Sequence, residues 1–295
     1  MNVIRRTILL GLSCCFSLGL LAGCTTGVMH TREQDGSIDL LAQCEAEFRQ
    51  GKIERALETA SEAIRLTPDR AEAWNTRGFV YASRGLMGEA LNDFTQAVRL
   101  HPTNATYLSN LGIAHLESGK ADQALVAFNT ALQLGPPSAL ALKHRGMAYR
   151  HLGRLQDALH DFNAAVRLNG QDATIYANRA VVYALQQQYP EAKRDLDLAA
   201  GLNQAMPAIY QSRGLVEMLI GRFDKAEKDF SQAVALGAGD NLLLYNRGIA
   251  RSMLGASAGA HEDYTRSCHN GYLPACGFSQ IISRIASPLS AASAP

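Results

Sequence analysis

Residues 246–255 read NRGIARSMLG, residues 178–187 read NRAVVYALQQ, and residues 144–153 read HRGMAYRHLG. In each, an arginine followed by Gly or Ala heads an apolar run. These arginines, Arg145, Arg179 and Arg247, are spaced by 34 and then by twice 34 residues. The same step lands on Arg213 in SRGLVEMLIG, on Arg77 in TRGFVYASRG and on Leu111 in NLGIAHLESG. A fixed period of this length means one supersecondary unit copied many times, each copy too small to bury its own apolar face.

Units that begin at Ser37, Ala71, Ala105, Ala139, Ala173, Pro207 and Asn241 keep this register without an insertion. Their twentieth position is alanine throughout, from Ala56 to Ala260, and the twenty-fourth is mostly aromatic (Phe94, Phe128, Phe162, Phe230, Tyr264). The eighth is Gly78, Gly112, Gly146, Gly214 or Gly248, with Ala180 in the fifth unit. Glycine inside a helix costs about 1 kcal/mol against alanine, so its return at one position needs a packing reason. Close approach of two helices supplies it. Mid-unit glycines such as Gly119 and Gly153 mark the reversal between those helices. The expected fold class is therefore all-α.

In the second unit Trp74, Gly78, Tyr81, Ala90, Phe94, Ala97 and Pro102 follow the pattern of the tetratricopeptide repeat, which residues 37–274 resemble. The resemblance implies a right-handed superhelix, an α-solenoid of seven helix–turn–helix repeats. The first repeat departs from the pattern, with Cys44 and Glu47 where glycine and tyrosine are expected, as befits a terminal repeat with one neighbour.

The opening arginines then find a use. The seventh position is Arg77, Arg145, Arg179, Arg213 and Arg247, and the twenty-third is Asp93, Asp161, Asp195, Asp229 and Asp263. In the third repeat both charges vanish together, as Leu111 and Ala127. Paired appearance and loss predict an intra-repeat Arg–Asp contact with a structural role.

The chain starts MNVIRRTILLGLSCCFSLGLLAGC, a basic start and an apolar run too short for a comfortable membrane-spanning helix. Residues 1–23 read as a secretory signal peptide. Leu21-Ala22-Gly23-Cys24 resembles the bacterial lipobox, which implies cleavage before Cys24 and lipid on its thiol. Thr25 in place of aspartate implies, by the same resemblance, an outer-membrane anchor facing the periplasm. Residues 24–36 then form a lipidated tether. At the other end, Cys268 and Cys276 resemble the cysteine pair of Sel1-like repeats, which implies a disulfide in an exported chain. Residues 275–286 are expected to be a capping helix and 287–295 a disordered tail.

Of the 295 residues, 28 are basic and 27 acidic, with no basic block, so nucleic-acid binding has little electrostatic support. Phosphate-loop, nucleophile-elbow and zinc-protease motifs are missing from the sequence. His144 and His151 share one helix without a third ligand beside them. The reading is thus no enzyme, no metal and no cofactor.

A surface is left. By resemblance, the first helices line a concave face. Position six gives a polar ladder of Thr76, Asn110, His144, Asn178, Ser212 and Asn246; position nine gives an apolar one of Phe79, Ile113, Met147, Val181, Leu215 and Ile249. The second ladder reads equally as groove or as inter-repeat core. The expected function is a lipid-tethered adaptor that binds a segment of another cell-envelope protein. The rival is a self-associating structural protein, its groove filled by its own chain or by a second copy in a homodimer.

Overall fold

A computed structural model describes residues 36–279. The signal peptide, Cys24, nearly all of the tether, residues 280–286 of the capping segment and the tail 287–295 lie outside the described residues.

The described residues fall into two compact units. The first, 36–169, contains α1 (Gly36–Arg49), α2 (Ile53–Leu66), α3 (Ala71–Ser83), α4 (Met87–Leu100), α5 (Ala105–Glu117), α6 (Ala121–Leu134), α7 (Ala139–His151) and α8 (Leu155–Leu168). The second, 170–279, contains α9 (Ala173–Leu185), α10 (Tyr189–Leu202), α11 (Pro207–Leu219), α12 (Phe223–Ala235), α13 (Asn241–Met253) and α14 (Ser257–His269), and is helical again over 273–279. No strand occurs among the described residues. Consecutive helices pair as hairpins. Within a unit each hairpin's second helix packs on the first helix of the next, and successive first helices also touch.

The turns explain the hairpins. Gly119 and Gly153 sit at φ +73° and +72°, a left-handed conformation that glycine adopts without steric cost. The fifth repeat has Gln187 there, at φ +62°. Several first helices start on a side-chain cap. The Asn104 carboxamide accepts from the amides of Thr106 and Tyr107, and Asp240 accepts from that of Leu243.

Each hairpin closes on the pair at positions eight and twenty-four. A Cβ on Gly112 would stand 2.7 Å from the Phe128 ring, and one on Gly214 would stand 2.7 Å from the Phe230 ring, both rings fully buried. Where the glycine becomes Ala180, the ring opposite shrinks to Leu196, and where it becomes Cys44, to Ala60. One position gives up the volume that the other takes, as close packing requires.

Candidate functional site

The five arginines at position seven all reach the aspartate sixteen residues later. Arg145 donates from Nε to Asp161 Oδ2 at 2.7 Å and from Nη2 to Oδ1 at 2.8 Å. Arg77–Asp93, Arg179–Asp195, Arg213–Asp229 and Arg247–Asp263 repeat this two-pronged geometry, every bond between 2.6 and 2.9 Å. All five aspartates are buried. The bond to its aspartate is the leading reason that the guanidinium of Arg77, Arg145, Arg179 and Arg213 holds its proton even more tightly than usual.

The arginine has a second reach that the sequence did not disclose. Its free Nη1 donates backward to position twenty-five of the preceding repeat. Arg77 reaches Ser61 at 3.1 Å, Arg145 reaches Asn129 at 2.8 Å, Arg213 reaches Asp197 at 3.0 Å and Arg247 reaches Ser231 at 3.4 Å. Aromatic rings flank it as well: Arg77 lies 5.2 Å from the Trp74 ring and 5.6 Å from that of Tyr81, and Arg145 lies 5.8 Å from the Tyr149 ring. One side chain thus ties its own hairpin shut and fastens it to its neighbour.

The first repeat uses a different version. Gln43 donates to Glu47, which accepts from Thr59 Oγ1 at 2.7 Å. These two bonds, Gln43's first, hold the Glu47 carboxyl below the usual range. In the last repeat Arg251 adds a second guanidinium to Asp263 at 3.0 Å and meets Glu227 of the repeat before at 3.1 Å. Cys268 and Cys276 lie within disulfide-bonding distance, their Cα atoms 4.8 Å apart. Beside them Tyr245, Tyr264, Tyr272 and Phe278 form one aromatic cluster, with Phe278 5.3 Å from Tyr264.

Both ladders are largely buried, which at position nine fits the inter-repeat core, one of the two readings left open. At position nine Ile113, Met147, Val181, Leu215 and Ile249 are buried, and Phe79 is half-buried edge-on to Phe48. Val181, Leu215 and Ile249 belong to the main apolar cluster of the second unit. The reason is the contact between successive first helices, which places an apolar side chain on that side between two neighbours. A sequence pattern reads the same for either burial or a groove.

Position six is buried too, but its atoms are not all satisfied. Asn110 donates to Asn75 Oδ1 at 2.9 Å and Asn178 donates to the Thr174 carbonyl at 2.8 Å. Asn110 Oδ1, Asn178 Oδ1, Ser212 Oγ and both amide atoms of Asn246 have no hydrogen-bond partner. Thr76 is buried in the same column, and His144 faces the Leu140 carbonyl at 2.9 Å. A buried polar atom without a partner costs about 1–3 kcal/mol, so a recurrence at one structural position calls for an explanation.

No group of His, Cys, Asp and Glu among the described residues is arranged to hold a metal, and no described helix is long and apolar enough to cross a membrane.

Models of the tetratricopeptide repeat match residues 109–173 and 143–207, residues 69–135 and residues 45–85, together more than half of the chain. A search of curated proteins found no match. Solved structures with the same fold include a tetratricopeptide repeat protein from Parabacteroides merdae. It is 21% identical, with 84% of this chain and 98% of that one covered and a TM-score of 0.66. Another is the APC/C hetero-tetramer Cut9–Hcn1, at 17% identity and TM-score 0.69, covering 83% of this chain but only 52% of that one. A third, pilF of Pseudomonas aeruginosa, is 16% identical, with 71% and 96% covered and a TM-score of 0.62. Five two-pronged clamps at one spacing, a glycine–ring contact in hairpin after hairpin and these matches agree: the chain belongs to the tetratricopeptide repeat family.

Proposed function

We propose that this protein is an interaction scaffold which holds an extended segment of a partner protein along the position-six ladder of the first helices of the second unit. The observation that carries the reading is the unsatisfied set at Asn178, Ser212 and Asn246 in the second unit, one residue in each of three consecutive repeats. Carboxamides and hydroxyls both give and accept hydrogen bonds, which suits them to the main chain of a bound segment whatever its side chains. Because these atoms are screened from water, engagement requires neighbouring first helices to part slightly. A repeat array allows this, since each repeat contacts only its neighbours.

The N-terminal sequence supports the remainder of the reading: a signal peptide, lipid on Cys24, an anchor in the outer membrane and a partner from the cell envelope. Affinity capture from a solubilised envelope fraction, with mass spectrometry of what is retained, tests it. The wild-type chain should retain a discrete partner, and Asn178→Leu with Asn246→Leu should lose it while circular dichroism stays helical. Retention of the same partner by the folded double variant would rule the ladder out. A Cys24→Ser chain that is still acylated would rule out the anchor.

A further inference from the structure

The third repeat lacks its clamp, and a cavity reaches two of the residues that would face the missing guanidinium, Thr95 and His115. Between α4 and α5 lies a cavity of about 610 Å³, open to solvent, lined by Glu89, Leu91, Asn92, Thr95, His115 and Lys120 among others. The other repeats show what this seam is shaped for. In the second, fourth, sixth and seventh repeats it holds a guanidinium that donates to position twenty-five of the preceding repeat. In the second and fourth it also faces the ring at position eleven. In the third repeat the corresponding acceptor is Thr95, the corresponding ring is His115, and the arginine itself is Leu111.

We propose that this seam is a socket for an arginine side chain of a partner protein. Thr95 Oγ1 takes the place of Ser61 or Asn129 as acceptor. His115 takes the place of Tyr81 or Tyr149 as the flat face, with its Nδ1 buried and without a partner. Leu91, which lines the cavity and packs on the Phe94 cluster, provides an apolar wall for the methylene stem. The aspartate of the other repeats is absent here as Ala127, and the carboxylate lining the cavity is Glu89. Burial is the main cause, with the charge of Lys120 second, that holds the His115 ring below its ordinary pKa. That direction favours the neutral ring, which suits contact with a cation. Lys120 also lines the socket and opposes an incoming positive charge, so the pairing rests on shape and on Glu89 together. This inference is independent of the position-six ladder.

The test uses the full-length protein and N-acetyl-arginine methylamide, followed by NMR of the His115 imidazole. Saturable shifts are expected in the millimolar range, at least tenfold tighter than for the leucine or glutamate analogue. Glu89→Gln, an exposed change, should weaken binding several-fold, and Lys120→Gln should tighten it. Leu111→Arg with Ala127→Asp, which fills the socket from within, should abolish the shifts. Equal binding of the leucine analogue would overturn the proposal, as would preference for the glutamate analogue or loss of binding in Lys120→Gln. Unchanged binding in Glu89→Gln would do so too, and that variant decides the matter even if the double variant does not fold.

Discussion

The third and fourth repeats stand side by side in the first unit and keep the same fold with opposite chemistry at one seam. The fourth has Arg145, Asp161 and Tyr149, with the aspartate buried and the arginine tied back to Asn129. The third has Leu111, Ala127 and His115, and a cavity along α4 and α5. Both close the hairpin on a glycine against a buried phenylalanine, Gly112 on Phe128 and Gly146 on Phe162. The hairpin is thus made by volume, and the charge pair is an addition that seals the seam. A buried ion pair is roughly break-even against apolar residues of similar volume, whereas half of one is strongly unfavourable. That asymmetry explains why charge comes and goes at both positions together.

The sharpest way to break this comparison is to break one clamp. Arg145→Leu strands Asp161, whose side chain is 1% exposed, and should cost about 3–5 kcal/mol in urea unfolding. Adding Asp161→Ala recreates the third repeat's combination and should recover most of that loss. Strict additivity of the two changes would mean that the residues are not coupled.

A steric probe comes next. Gly112→Ala places a Cβ 2.7 Å from Phe128, whereas Gly146→Ala places one 3.0 Å from Phe162. Overpacking costs about 1–3 kcal/mol, and the helix preference for alanine returns about 1. The third repeat should lose about 1–2 kcal/mol on balance, and the fourth less, measured by thermal melting. The reverse order would mean that backbone shifts, and not the ring, set the cost.

The converse of the first experiment is a small effect. Leu111→Arg with Ala127→Asp should change stability by less than about 1 kcal/mol, since a complete pair replaces two apolar residues. A gain of several kcal/mol would show that the clamps drive folding after all.

The turns give the smallest change. Gln187→Gly relieves a left-handed glutamine where Gly119 and Gly153 sit in the two repeats compared, and should stabilise by about 0.5–1 kcal/mol.

The period, the helix pairs and the Arg–Asp partners were legible in the sequence because each is a local rule repeated at a fixed offset. The Phe94-type ring and the Gly78-type gap state their relation through spacing alone. The reach of Arg145 to Asn129 was not legible, since it depends on how one hairpin stacks on the next. Met147 and Leu215 read as groove or as core, because periodicity gives the side of a helix and not what covers it. The cavity lined by Thr95 and His115 left no mark in the pattern beyond a missing charge nearby.

The backward reach of the clamp gives the repeat array a direction in time. Arg77, Arg145, Arg213 and Arg247 each donate to a residue sixteen positions earlier in the chain, so the acceptor always precedes the donor. A polypeptide delivered N-terminus first, whether from a ribosome or through a pore, presents every new repeat with a docking point already made. Each hairpin can latch onto the last one as it emerges, without waiting for the chain to finish. Delivered in the other order, each of these arginines would find its aspartate already present and its docking point on the neighbouring repeat still to come.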